Sequence, residues 1–74
     1  MTPNDLEKVK SAIKTMRVET TEELKQNGTA LLALYMMVQD HYKMRKDREM
    51  YLLYATKVKE LYSRILALQE GAST

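Results

Sequence analysis

The chain has 74 residues, no cysteine, one histidine and a formal net charge of +2. A chain of this size buries only about 60 to 65% of its unfolded surface, and without cysteine it has neither disulfides nor thiolate metal sites to stabilise it. Twelve basic side chains nearly balance ten acidic ones, which excludes the strong overall field that would by itself demand a polyanion. We therefore expect self-association, or a permanently bound protein partner, to stabilise the fold.

The first predicted helix covers residues 3–17. Thr2 is a suitable N-cap, Pro3 fits the first helical position, and Asp5 lies where a carboxylate meets unpaired amides. Apolar residues then follow at spacings of 3, 4 and 3, at Leu6, Val9, Ile13 and Met16. This narrow stripe predicts a helix that docks along one edge of a core.

The second predicted helix covers residues 20–44, because Thr20 and Glu23 have the spacing of a capping box. Gly28 leaves two interpretations open. Either it ends a short helix, or one helix continues through it at a cost of about 1 kcal/mol relative to alanine. We favour the continuous helix, because the last helix needs a partner of similar length.

Residues 30–44, ALLALYMMVQDHYKM, are the most apolar part of the chain. Apolar side chains lie on nearly every side of this predicted helix, which is typical of a helix enclosed by protein. At about 22 Å it is too short to cross a bilayer.

Residues 45–49 contain no apolar side chain. The chain either turns here, with Asp47 capping the last helix, or continues as one helix from about 30 to 70 that pairs with a copy of itself. A polar gap longer than a helical turn interrupts the apolar stripe, so we favour the turn.

The last predicted helix covers residues 48–70 and carries a heptad seam with spacings of 3, 4, 3, 4 and 3. The seam consists of Tyr51, Tyr54, Val58, Leu61, Ile65 and Leu68. A second apolar flank consists of Leu52, Ala55, Tyr62 and Leu66. Gly71 is expected to end the helix and to leave a frayed tail at 71–74.

These patterns predict an all-α, single-domain protein of three helices, residues 1–74. A long antiparallel hairpin (about 20–44 and 48–70) packs as in a coiled coil, and an N-terminal helix (about 3–17) lies alongside. Self-association as a homodimer or higher oligomer is assigned to Leu31, Leu34, Val38, Tyr51, Tyr54, Val58, Leu61, Ile65 and Leu68. Contacts with a partner are assigned to Tyr35, Met36, Met37, Tyr42, Met44, Met50 and Tyr62, because tyrosine and methionine suit surfaces covered only on association.

The sequence predicts no enzyme, no cofactor and no metal site. Asp40 and His41 are adjacent, so in a helix they point about 100° apart and cannot form a catalytic pair. No phosphate-binding loop or set of spaced metal ligands occurs. The N-terminal residues lack the apolar run of a secretory signal, which predicts a cytoplasmic protein with no membrane segment.

We expect a small helical interaction module, an adaptor, assembly factor or inhibitor, that acts by packing helices against another protein. The alternative is a dimeric nucleic-acid-binding protein, because residues 43–48 have a net charge of +3. Its binding residues are Lys43, Arg45, Lys46 and Arg48. A third possibility is a structural coiled-coil subunit of a larger assembly. The sequence does not identify the partner or the process.

Overall fold

Three helices make up most of residues 2–72, the part of the chain that the computed structural model describes. They are α1 (Pro3–Thr15), α2 (Thr21–Met44) and α3 (Arg48–Ala72). Helices α2 and α3 form a long antiparallel hairpin, and α1 packs on α2. The predicted all-α fold with a hairpin and an N-terminal helix is therefore confirmed.

Capping boxes begin α1 and α2, as predicted. The Asp5 amide donates to Thr2 Oγ1 at 3.2 Å, and the Thr2 amide donates to Asp5 Oδ2 at 3.4 Å. At α2 the Glu23 amide donates to Thr20 Oγ1 at 3.1 Å, and the Thr20 amide donates to Glu23 Oε1 at 3.0 Å. The Thr20 amide is the main reason that the pKa of the Glu23 carboxyl lies below its usual value. These reciprocal bonds satisfy amides that a helix start leaves unpaired.

Helix α1 ends two residues earlier than predicted, and Met16 is already extended. The following segment is held by two side chains of the hairpin. Asn27 Nδ2 donates to the Arg17 carbonyl at 2.8 Å, and the Arg64 guanidinium donates to the Val18 carbonyl. Tertiary hydrogen bonds thus take carbonyls that would otherwise accept from a continuing helix.

Helix α2 continues through Gly28, as we favoured. Gly28 is buried, and a Cβ atom placed on it would lie 3.1 Å from Leu24 Cδ1 and 3.3 Å from Ile65 Cγ1. The missing side chain therefore allows α3 to approach α2 closely, which offsets the low helix propensity of glycine.

The predicted turn follows α2 and has the hydrogen bonds of a Schellman motif. The Asp47 amide donates to the Tyr42 carbonyl at 3.0 Å, and the Lys46 amide donates to the Lys43 carbonyl at 3.1 Å. Lys46 has a φ of 59°, in the left-handed region. Asp47 Oδ1 then accepts from the Met50 amide at 3.3 Å and caps α3.

Replacing Lys46 with glycine should raise the free energy of unfolding by about 0.5 to 1 kcal/mol, because glycine adopts the left-handed conformation without a Cβ penalty. Urea unfolding followed by circular dichroism measures the change. Lys43→Gly is the matched control: it lies in the last turn of α2 and should lose about 1 kcal/mol. A Lys46→Gly variant that loses as much as the control would contradict the left-handed turn.

The core is small. Among the described residues, four apolar side chains are buried: Leu24, Leu31, Val38 and Leu61. Partly buried side chains pack against it from all three helices and from the segment between α1 and α2: Ile13, Met16, Val18, Leu32, Tyr35, Ile65 and Leu68. The molecule is elongated, with extents of 43 × 21 × 14 Å.

The predicted tail 71–74 is wrong in part. Helix α3 includes Gly71 and ends at Ala72, while Ser73 and Thr74 lie outside the described residues. Outside the neighbouring residues of its own helix, no described atom lies within 4 Å of a Cβ placed on Gly71, so this glycine does not serve a close approach between helices. Glycine lowers helix propensity without forbidding helix, and here the helix continues.

Candidate functional site

The seam assigned to self-association packs inside one chain. Leu31, Val38 and Leu61 are only 2%, 0% and 4% exposed, and the core cluster includes contacts from Ile65 and Leu68. The remaining four residues of that set, Leu34, Tyr51, Tyr54 and Val58, are partly buried. Leu31, Val38 and Leu61 are therefore buried within the single chain. A heptad pattern shows that a helix has a partner, but not whether that partner belongs to the same chain.

A single chain encloses residues 30–44 only in part. Met36, Met37 and Met44 are 51%, 47% and 77% exposed. With only α1 and α3 to cover it, α2 keeps a wide apolar surface in contact with solvent. Three of the residues assigned to partner contacts thus lie on the surface of the hairpin.

The heptad seam of α3, Tyr51, Tyr54, Val58, Leu61, Ile65 and Leu68, is named the inner seam. A second line of side chains, mostly apolar and mostly exposed, runs along α3 on the flank beside it. We name it the outer seam, and it consists of Leu52, Ala55, Lys59, Tyr62 and Leu66. The spacings of 3, 4, 3 and 4 put these residues within an arc of about 80° on the helix. Leu52, Tyr62 and Leu66 are 49%, 51% and 38% exposed. The outer seam therefore has the pattern of a packed helix face but lacks a covering helix in the chain.

Tyrosines from both hairpin helices meet near the turn. The Tyr35 and Tyr54 rings are edge to face with centroids 6.1 Å apart, and the Tyr42 and Tyr54 rings are stacked at 6.0 Å. Lysine ammonium groups lie over two of these rings, Lys10 over Tyr42 at 5.6 Å and Lys57 over Tyr35 at 5.9 Å. Tyr35 and Tyr42, which were assigned to partner contacts, are thus engaged within the chain.

The electrostatics of the tyrosine cluster tie α1 to the hairpin. A hydrogen bond with Tyr42 raises the pKa of the Lys10 ammonium above its usual value. Burial raises the pKa of the Tyr35 phenol. Both shifts leave the groups in their ordinary forms at neutral pH, with the ammonium charged and the phenol protonated. The cluster therefore contributes to the packing of α1 on the hairpin.

The basic cluster consists of Lys43, Arg45, Lys46 and Arg48, and all four side chains are exposed at the turn. Because the chain turns between them, Lys43 and Asp47 are not on one helix face, and the Asp47 carboxylate accepts from the Met50 amide instead. Three of the four basic side chains line a groove with Tyr42 and Tyr51. The cluster is thus a solvated cationic end of the hairpin with aromatic rings beside it.

The one histidine lies on the outer side of α2. His41 shares a groove with Met37, Asp40, Met44 and Arg45, and its ring is edge to face with that of Tyr42. Within residues 2–72, no three histidine or acidic side chains are placed to hold a metal ion. None of the helices in the same range combines the length and hydropathy needed to span a bilayer.

Sequence reasoning missed Lys59 as a member of the outer seam, although the 3 and 4 spacing through Ala55 and Tyr62 carries that signal. It also missed the contacts of Asn27 and Arg64, for which no local pattern exists. Met50, the remaining residue assigned to partner contacts, is half-buried beside the turn. No known protein family, no curated protein and no solved structure matches this chain.

Proposed function

We propose that this chain is a non-enzymatic helical interaction module that self-associates and binds another protein by helix packing. The observation that carries the proposal is the imbalance between core and surface. Four apolar side chains are buried among the described residues, whereas seven large ones are 38% to 77% exposed. The exposed set is Met36, Met37, Met44, Leu52, Leu53, Tyr62 and Leu66.

Leaving this apolar surface in water is unfavourable in free energy. Burial of apolar surface contributes about 25 cal/mol per Å², so covering even part of the exposed set stabilises a complex by several kcal/mol. Monomeric proteins rarely expose large contiguous apolar surfaces, and those that occur often mark interaction sites. Exposed methionines add the flexibility by which a helix face adapts to its partner. We place the module in the cytoplasm, since a chain without cysteine suits a reducing compartment.

Sedimentation equilibrium over a range of micromolar concentrations tests this function. The expected result is a mass of twice the 8.6 kDa chain or more, together with a thermal midpoint that rises with protein concentration, because association stabilises only the folded chain. A strictly monomeric protein with a sharp unfolding transition that does not depend on concentration would contradict the proposal.

A second candidate function, nucleic-acid binding, rests on the exposed basic cluster and the tyrosines beside it. If it is correct, the logarithm of the affinity falls linearly with the logarithm of the salt concentration, with a slope of roughly −0.9 per phosphate contacted on duplex DNA. The preferred function predicts only weak, non-specific binding.

Replacing Lys43, Arg45, Lys46 and Arg48 together with alanine separates the two functions. Under the preferred function, fold and self-association are retained, because these side chains are exposed and lie outside the core. Fluorescence anisotropy with a labelled duplex measures nucleic-acid binding, and sedimentation of the same variant measures self-association. Tight, salt-dependent binding that the variant loses would favour the nucleic-acid alternative.

A further inference from the structure

The chain exposes more surface than a compact monomer of its mass. Its accessible area is 5559 Å², whereas a compact monomer of 8.6 kDa exposes about 4,700 Å². The radius of gyration, 13.3 Å, likewise exceeds the value of about 11 Å expected for 74 residues. The excess area of about 850 Å² is close to the roughly 800 Å² that one partner contributes to a standard interface.

The outer seam has the symmetry that a second copy needs. Leu52 and Leu66 are each seven residues, about 10 Å along the helix axis, from Lys59. A two-fold axis that crosses α3 at Lys59 therefore places Leu52 of each copy against Leu66 of the other. Both apolar ends of the seam are covered at once by an identical surface, as in an isologous interface.

The central lysine fits this arrangement. Tyr62 is one helical turn from Lys59, so near the two-fold axis each ammonium lies close to the Tyr62 ring of the second copy. The chain already makes this kind of contact twice, between Lys10 and Tyr42 and between Lys57 and Tyr35. Such contacts between an ammonium and an aromatic ring offset the repulsion between the two central charges.

Charge decides the relative direction of the two helices. If two copies of α3 packed in parallel, their basic turns, each with a net charge of +3 over residues 43–48, would lie side by side. An antiparallel arrangement about Lys59 separates the turns by more than about 30 Å, beyond the Debye length of about 8 Å at physiological salt. Opposed helix dipoles favour the same direction.

We propose that a second copy of this chain docks on the outer seam, with the two α3 helices antiparallel about Lys59. This inference rests on the proposed self-association and names the face that carries it. The inner seam is unavailable for the purpose, because it holds α3 to α2 within each chain.

Disulfide crosslinking tests the direction, and the absence of native cysteine leaves no background reaction. A mixture of Leu52→Cys and Leu66→Cys chains should form a covalent dimer much faster than either variant alone, since like positions lie about 20 Å apart in the antiparallel dimer. Met36→Cys, equally exposed but on α2, gives the rate of random collision. Faster crosslinking within each variant alone, or a mixture no faster than this control, would overturn the proposal.

A charge-insertion variant tests the face separately from the function. Leu52→Glu combined with Leu66→Glu should weaken self-association by about 100-fold or more, because one apolar pair is lost at each end of the interface. Helicity should be retained, since both residues are exposed. The matched control, Met36→Glu with Met37→Glu, should remain a dimer. If the outer-seam variant dimerises as tightly as the wild-type chain, the outer seam is not the interface, and the proposed function still stands. If the wild-type chain is itself monomeric, both this inference and the proposed function are overturned.

Discussion

Val38→Asp is expected to unfold the chain. Val38 is 0% exposed in the middle of α2, so a carboxylate there would be removed from water. Burial of an unpaired polar or charged group costs several kcal/mol. A domain of 74 residues has a stability of only about 4 to 11 kcal/mol. The loss should appear as low helicity in circular dichroism and as the disappearance of a cooperative urea transition.

The neighbouring substitution Met37→Asp is the control for this result. Met37 has the same helical context but is 47% exposed, so its carboxylate remains hydrated and the free energy of unfolding should change by about 0.5 kcal/mol or less. Equal losses at the two positions would mean that the helix itself, and not burial, is sensitive to a carboxylate. An unchanged Val38→Asp variant would show that this side chain is not buried in solution.

Gly28→Val is expected to lower the free energy of unfolding by about 2 to 3 kcal/mol. The first added carbon already lies 3.1 Å from Leu24 Cδ1 and 3.3 Å from Ile65 Cγ1, and two further methyl groups must displace one of these side chains. The gain in helix propensity over glycine recovers less than about 1 kcal/mol. Gly28→Ala, which adds only the first carbon, should be nearly neutral. Urea unfolding at a fixed protein concentration measures all three chains.

Ile65→Ala tests whether Gly28→Val destabilises the chain through contact with Ile65. Alone it should cost about 2 to 4 kcal/mol, because it leaves a cavity between α2 and α3. Combined with Gly28→Val it should cost less than the sum of the two single variants, since the valine fills the space that the isoleucine vacates. Additive losses would indicate that Gly28 and Ile65 do not contact each other and would place the two helices in a different register.

Because Ile65 lies against Gly28 in the same chain, a substitution at Ile65 affects the fold of each chain before it affects self-association. The heptad pattern predicts that an acidic residue at this position breaks contacts between copies. In the structure Ile65 packs against the core cluster and faces Gly28. Loss of the Ile65 side chain is therefore expected to loosen the hairpin within each chain. Any change that it causes in the oligomeric mass is a consequence of that unfolding. The outer seam lies about 100° around the axis of α3 from the inner seam. A charged residue introduced there is expected to weaken association without unfolding the chain.

Local chemistry determined most of the fold. Thr2 with Asp5 and Thr20 with Glu23 mark helix starts because a capping box involves only residues three apart. The polar gap before Arg48 marks the turn because a helix cannot bury a face that carries no apolar residue. These signals depend on neighbours in sequence, so the all-α hairpin, its two long helices and the start of α3 followed from the sequence.

Tertiary structure decided which apolar surface is used within the chain and which faces solvent. The inner and outer seams of α3 have the same 3 and 4 spacing, so spacing alone does not show which of the two α2 covers. Packing against α2 selected the inner seam because Gly28 permits close approach beside Ile65. The same packing ended α1 early, through the bonds of Asn27 and Arg64 to the carbonyls of Arg17 and Val18. Spacing along a helix specifies a face, but only the position of the neighbouring helix specifies whether that face is covered.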